Sequence, residues 1–214
     1  MRVVFETDGA GTSPVQYLHC PLNRYYLRQS ADHATAAQQC ATREQIFNEA
    51  LLAVIFASLC LECFANERAE DGLEGKDLKD FLRPGGRTVP AKLKTLFHKT
   101  LKVGLSMKKS PLKEVEELFD LRNRLVHYKL TESAGKAHML PSRVEEFANG
   151  IAMKIDFTAP ATKIEQPLIE SVNARVAAES YNAALALMKQ WHLEEKAPPN
   201  SLADFPECPL PPLA

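Results

Sequence analysis

The chain has 214 residues, of which 45% are apolar and 25% charged, with a formal net charge of -1. That length and composition suit one globular domain with tails, large enough to bury a core. They exclude a disordered, collagen-like or strongly basic chain, so any nucleic-acid partner must be sought in the distribution of charge rather than its sum.

The first residues carry no signal-peptide pattern, because Met1-Arg2-Val3-Val4-Phe5 runs at once into Glu6, Asp8 and glycines. Arg2 to Thr7 reads as a short strand and Gly9 to Pro14 as loop, and residues 1–35 are taken as an irregular N-terminal segment. A helical domain is expected over 36–193, followed by a proline-rich tail, extended or disordered, over 194–214. Thr42-x-x-Gln45 has the spacing of a capping box. After it come Ile46, Phe47, Leu51, Leu52, Val54, Ile55, Phe56, Leu59 and Phe64, apolar all round, which predicts a central buried helix ending near Asn66 to Gly72. The stretch Ala50 to Ala65 contains Ser58 and Glu62 and is too short for a bilayer span, so no membrane is expected.

A weaker helical patch, Leu73 to Leu82, stops at Arg83-Pro84-Gly85-Gly86. Pro90 to Val103 has Leu93, Leu96, Phe97 and Leu101 at helical spacing. Ser110-Pro111 supplies a cap and a first-turn proline for a helix to about Leu130, and Thr131 to Lys136 is loop. Ser142-x-x-Glu145 is a second capping box with Gly150 as its stop, and Pro167 opens a last long helix through Trp191. Long helical signals with few strand signals predict an all-α, antiparallel up-and-down helical bundle.

Five cysteines without a regular framework point to small buried hydrophobes in a reducing, cytoplasmic setting. Cys60-x-x-Cys63 lies in the apolar helix, with no second pair at a zinc-like distance, so no metal or cofactor is expected.

The chemistry concentrates in Arg122-Asn123-Arg124-Leu125-Val126-His127. On a helical wheel Arg122 falls in the middle of the apolar stripe made by Val115, Leu118, Phe119, Leu121, Leu125 and Val126. An unpaired buried guanidinium costs several kcal/mol, roughly, so Arg122 must meet a carboxylate from another helix, open into a cleft or face a second subunit. Glu62, the one charged side chain between Ala50 and Ala65, or Asn66 is expected to approach it. Asn123 and His127 are i,i+4 neighbours, so Asn123 is expected to orient the imidazole, while Arg124 pairs with Asp120 on the solvent side. Residues 81–113 hold no Asp or Glu but include Arg83, Arg87, Lys92, Lys94, Lys99, Lys102, Lys108, Lys109 and Lys113. That segregation suits an RNA backbone, or a solvated face balancing acids elsewhere.

The segment Leu121 to Lys129, with Arg122 and His127 separated by four residues, resembles the signature helix of HEPN domains (higher eukaryotes and prokaryotes nucleotide-binding). Leu61-Glu-Cys-Phe-Ala-Asn-Glu67 is similar to the end of the preceding long helix in bacterial members, and the resemblance spans roughly residues 42 to 192. It implies a bundle that forms a homodimer through the motif helices, with two Arg/His pairs facing one cleft. Many members are metal-independent endoribonucleases of toxin or defence type, often restrained by an antitoxin protein. Others are non-catalytic and bind nucleotides, RNA or proteins. In the ribonuclease reading Arg122 and His127, with Asn123, form the catalytic set and yield 2′,3′-cyclic phosphate ends. One subgroup, paired with a nucleotidyltransferase antitoxin, has His-x-Tyr. Here Tyr128 follows His127 directly and Lys129 stands in the expected tyrosine position.

Overall fold

The structure is a computed structural model that describes residues 22–83, 85–127, 136–138, 141–147, 150–155, 163–165, 168–197 and 202–211. The expected strand at Arg2 to Thr7 and loop at Thr131 to 135 lie outside the described residues.

The described helices are α1 (Leu22–Gln39), α2 (Arg43–Gly72), α3 (Gly75–Leu82), α4 (Val89–Leu96), α5 (Leu112–Val126), α6 (Leu168–Ser171) and α7 (Ala174–Glu194), with a π-helical turn at Phe97–Leu101. They form the expected helical bundle. The centre is α2, against which α1, α7, α4, α5 and α3 all pack. Its start is the capping box read from sequence: Gln45 N–H donates to Thr42 Oγ1, and the Thr42 N–H returns a bond to Gln45 Oε1. Among the described residues α2 is the one helix long and apolar enough to cross a bilayer, longer than the apolar stretch within it suggests. Ten of its residues, from Ala50 to Ala69, are buried in the bundle.

The N-terminal segment is not irregular up to residue 35, because α1 starts at Leu22. Its buried positions are Asn23, Leu27, Ser30, Ala34 and Ala37, a regular helical stripe whose members are mostly small or polar. That choice of residues hides the stripe from a search for apolar periodicity, yet it lets two backbones approach closely. Ser30 Oγ accordingly reaches across to the Ala53 carbonyl at 2.9 Å in the interior. Farther along α2, Trp191 meets Phe64 and Phe97 edge-on at 5.7 and 4.9 Å. Cys60 is buried against Met188, with Sγ and Sδ 3.5 Å apart, and burial pushes its thiol pKa up. It behaves as the small hydrophobe expected there, and the four described cysteines are free thiols.

Four expectations for local structure need correction. Pro111 stands at the N-cap of α5 itself, with no side-chain cap from Ser110, and α5 ends at Val126 rather than Leu130. The last helix is interrupted. α6 stops at Ser171, and α7 begins afresh with the Asn173 side chain accepting from the Arg175 and Val176 N–H groups. Most plainly, no helix runs from Ser142 to Gly150. β2 (Pro141–Phe147) pairs antiparallel with β3 (Gly150–Ile155), while β1 (Lys136–His138) pairs with β4 (Lys163–Glu165). Ile151, Met153 and Ile155 alternate with period two, and Asn149-Gly150 is a hairpin signal, so pairing outcompetes the local cap. Of the two alternatives for the tail, residues 202–211 take the ordered one, a turn followed by chain without helix or strand, docked with Leu202, Phe205 and Cys208 buried.

Trp191 is the largest fully buried side chain among the described residues and the hub of the aromatic cluster. Trp191→Ala is expected to lower unfolding stability by about 3–5 kcal/mol, read as a shift of the urea midpoint.

Candidate functional site

Two helices bring the singled-out residues together. Glu62 lies on α2 and Arg122 on α5, and the Arg122 Nη2 stands 3.8 Å from Glu62 Oε1. The predicted carboxylate partner is therefore the one found. Asn66, one turn beyond Glu62, is exposed and makes no hydrogen bond to Arg122 among the described residues.

The burial expected for Arg122 holds only in part. The first turns of α5 are sealed through Leu112, Val115, Leu118 and Phe119. Beyond them Leu121, Arg122 and Leu125 are half-buried, and Val126 is 51% exposed. The Arg122 and Glu62 side chains are 27% and 33% exposed, so water reaches both ends of the pair. A contact of this length and exposure is a loose one, well outside the short bidentate geometry that marks strong Arg–carboxylate pairs.

Asn123 does not orient His127. Its Oδ1 accepts from Arg122 Nη1 at 3.1 Å instead. The helix ends one residue before the imidazole: His127 is the C-cap, with ψ of 38°, and its N–H donates to the Asn123 carbonyl at 2.9 Å. Leaving the helical path removes the i,i+4 side-chain geometry on which the expectation rested. The His127 ring is left exposed, without a hydrogen bond among the described residues. The expected Arg124–Asp120 ion pair is likewise absent among the described residues, although both side chains are exposed. Tyr128 and Lys129 lie outside the described residues.

The second segment of the motif pattern has a structural task. Glu67 accepts a hydrogen bond from Asn23 Nδ2, tying the end of α2 to the start of α1. Next to it Arg68 faces Asp71 and Glu195 at 3.6 and 3.8 Å and lies over the Phe64 ring. Sequence reading missed this joint because its partners come from three separate helices.

The basic segment is less uniformly cationic in space than in sequence. Lys99 Nζ meets Asp77 at 2.7 Å and Lys113 meets Glu117 at 3.4 Å. Lys92 lies over the Phe81 ring, Arg87 donates to Thr95 Oγ1, and Lys102 donates to the Lys99 carbonyl. Asp77 and Asp80 of α3 line one cleft with Arg87, Lys92 and Lys99. Arg83, Lys94, Lys108 and Lys109 remain exposed without an ion pair among the described residues. No hydrogen bond or ion pair links this segment to the Arg122 cluster among the described residues.

No family model matches the chain, and no curated protein or solved structure matches it. The functional reading therefore stands on the residues themselves.

The loose pair yields a direct test of its structural weight. Glu62→Gln is expected to change stability by under about 1 kcal/mol, measured by urea unfolding. A sealed interior pair would cost several times more.

Proposed function

We propose that this chain is a HEPN-type protein that cleaves RNA without a metal ion, acting as a homodimer with Arg122 and His127 as its catalytic residues. The observation that carries the reading is the placement of Arg122. It is half-exposed, loosely held by Glu62, and flanked by exposed Asn123 and His127 at the open end of α5. An arginine whose task is to tie a bundle together is sealed by its partner. This one keeps a face toward solvent where a phosphate can displace the carboxylate.

The chemistry needs little more. The RNA 2′-oxygen attacks phosphorus, the bond to the 5′-oxygen breaks, and a cyclic 2′,3′-phosphate and a 5′-hydroxyl result. One imidazole takes the 2′-hydroxyl proton and another donates a proton to the leaving 5′-oxygen, a division of labour that two copies of His127 supply. Arg122 neutralises the charge that grows on the phosphoryl oxygens. Asn123, bonded to Arg122, acts as a positioning residue. Exposed Arg83, Lys94, Lys108 and Lys109 would add salt-dependent affinity for the RNA backbone.

Support for the homodimer comes from the apolar surface beside the pair. Leu52, Ile55 and Leu59 lead along one face of α2 to Glu62, with Leu52 38% exposed, and Val126 lies bare at the end of α5. The second reading is a non-catalytic binding module. It is favoured by the two contacts, to Glu62 and Asn123, that already engage the guanidinium within one chain.

Incubation of purified protein with total RNA in EDTA separates the two. Cyclic-phosphate ends are expected from the wild type, with Arg122→Ala and His127→Ala each reducing them by about a hundredfold or more. Helical circular dichroism should be unchanged in both variants, because neither side chain is in the core. RNA left equally intact by all three proteins would overturn the nuclease in favour of the binding module.

A further inference from the structure

The segment that follows α7 is held as a peptide ligand is held. Leu202, Phe205 and Cys208 are buried and Pro211 is half-buried, while the residues between them are exposed. Leu202 and Phe205 are joined by a tight turn, in which the Phe205 N–H donates to the Leu202 carbonyl at 3.1 Å. Beyond it Phe205, Cys208 and Pro211 recur at every third residue, the repeat of the polyproline II helix toward which Pro206, Pro209 and Pro211 bias the chain.

Between these anchors, side chains of α1 and α7 bind the segment's backbone. Tyr181 Oη donates to the Pro206 carbonyl at 2.7 Å. Asn182 grips both polar groups of Cys208: its Nδ2 donates to the carbonyl at 2.8 Å and its Oδ1 accepts from the N–H at 2.9 Å. Gln38 Nε2 donates to the Pro209 carbonyl at 2.8 Å, and Arg175 Nη1 to the Pro211 carbonyl at 3.1 Å. The Arg28 guanidinium lies 5.5 Å from the centre of the Phe205 ring.

Leu202, Phe205 and Cys208 join the main hydrophobic core, and two features mark how the chain between them is held. A proline-rich strand offers carbonyls and few N–H groups, and the row of donors from two helices matches that supply. A cleft lined by Arg28, Asp32 and Thr35 also remains open between α1 and the segment, so between its anchors the segment lies at the surface.

We propose that the face shared by α1 and α7 is a peptide-binding groove for a tight turn followed by an extended, proline-containing segment with an apolar side chain at every third position. Residues 202–211 fill it as an intramolecular ligand. Because the segment is tethered, its effective concentration is on the order of millimolar. The groove is therefore closed to weak ligands in trans and opens to a segment of the same pattern once the tail is weakened or outcompeted. Recognition runs mainly through backbone carbonyls, so spacing of the anchors decides the partner more than their identity.

The test uses the full chain and a fluorescent synthetic peptide of residues 202–211 carrying Cys208→Ser. Anisotropy is expected to show no binding to wild type at micromolar concentrations, and binding to a full-length Leu202→Ala/Phe205→Ala variant whose own tail has lost two anchors. Adding Asn182→Ala to that variant should weaken the peptide by about tenfold or more, since two hydrogen bonds are lost. A helical double variant that ignores the peptide, or an Asn182→Ala change without effect, would overturn the groove. A second measurement needs no variant. Alkylation of Cys208 in the wild type, followed by mass spectrometry, should speed up when the peptide is added at millimolar concentration. An unchanged rate would mean that the segment is fixed structure and the proposal is wrong.

Discussion

Burial of α2 is the constraint on which the rest of the molecule depends. Its thirty residues carry apolar side chains around most of the circumference, and no single neighbour could cover them. α1 and α7 pack along it most extensively, and α4 and α5 cover part of the remainder. The neighbours are accommodated by different means. Alanines and Ser30 allow close backbone approach toward α1, whereas Trp191, Phe64 and Phe97 fill volume on the side of α7 and the π-helical turn. Truncation within this aromatic cluster opens a cavity that helices anchored elsewhere cannot collapse to fill.

What α2 leaves uncovered is as informative as what it buries. Its face through Leu52, Ile55, Leu59 and Glu62 is only partly shielded, and α5 reaches it with a helix that is sealed at its start and open at its end. The Glu62–Arg122 pair thus sits at a boundary between core and solvent, where a charge is neither paid for by tight pairing nor lost to bulk water. Such a position permits exchange of one anion for another. It also accounts for His127, which the end of the helix releases from the stripe and leaves exposed.

The charge pattern of residues 81–113 illustrates how sequence distance misleads. The run lacks acids, yet α3 supplies Asp77 and Asp80 to the same cleft, so Lys99 is neutralised by a residue twenty-two positions away. The cations still free are a smaller set than the sequence suggests, and a salt dependence of binding would report on that set alone. The tail misleads in the opposite direction. Prolines mark it as unable to form helix or sheet, which is correct, but the same property makes it a rigid strand with carbonyls to offer, and Tyr181, Asn182, Gln38 and Arg175 take them.

The sequence by itself determined what depends on near neighbours. The capping box at Thr42, the end of α2 at Gly72, the stop after Leu82 and the helical course through Leu93 and Phe97 follow from local hydrogen bonding and period. The Glu62–Arg122 pair was legible as well, because a charge in an apolar stripe requires a partner and the central helix offers few. Only the tertiary structure decided the rest. α1 was hidden because its buried stripe is written in Asn, Ser and Ala, which pack well without being strongly apolar. The β2–β3 ladder overrode a local cap because strand pairing draws on two segments at once. The bond from Arg122 to Asn123, the release of His127 and the docking of residues 202–211 depend on where α5 ends and on what α1 and α7 place beside the tail. Those are distances between helices, and no periodicity within one helix encodes them.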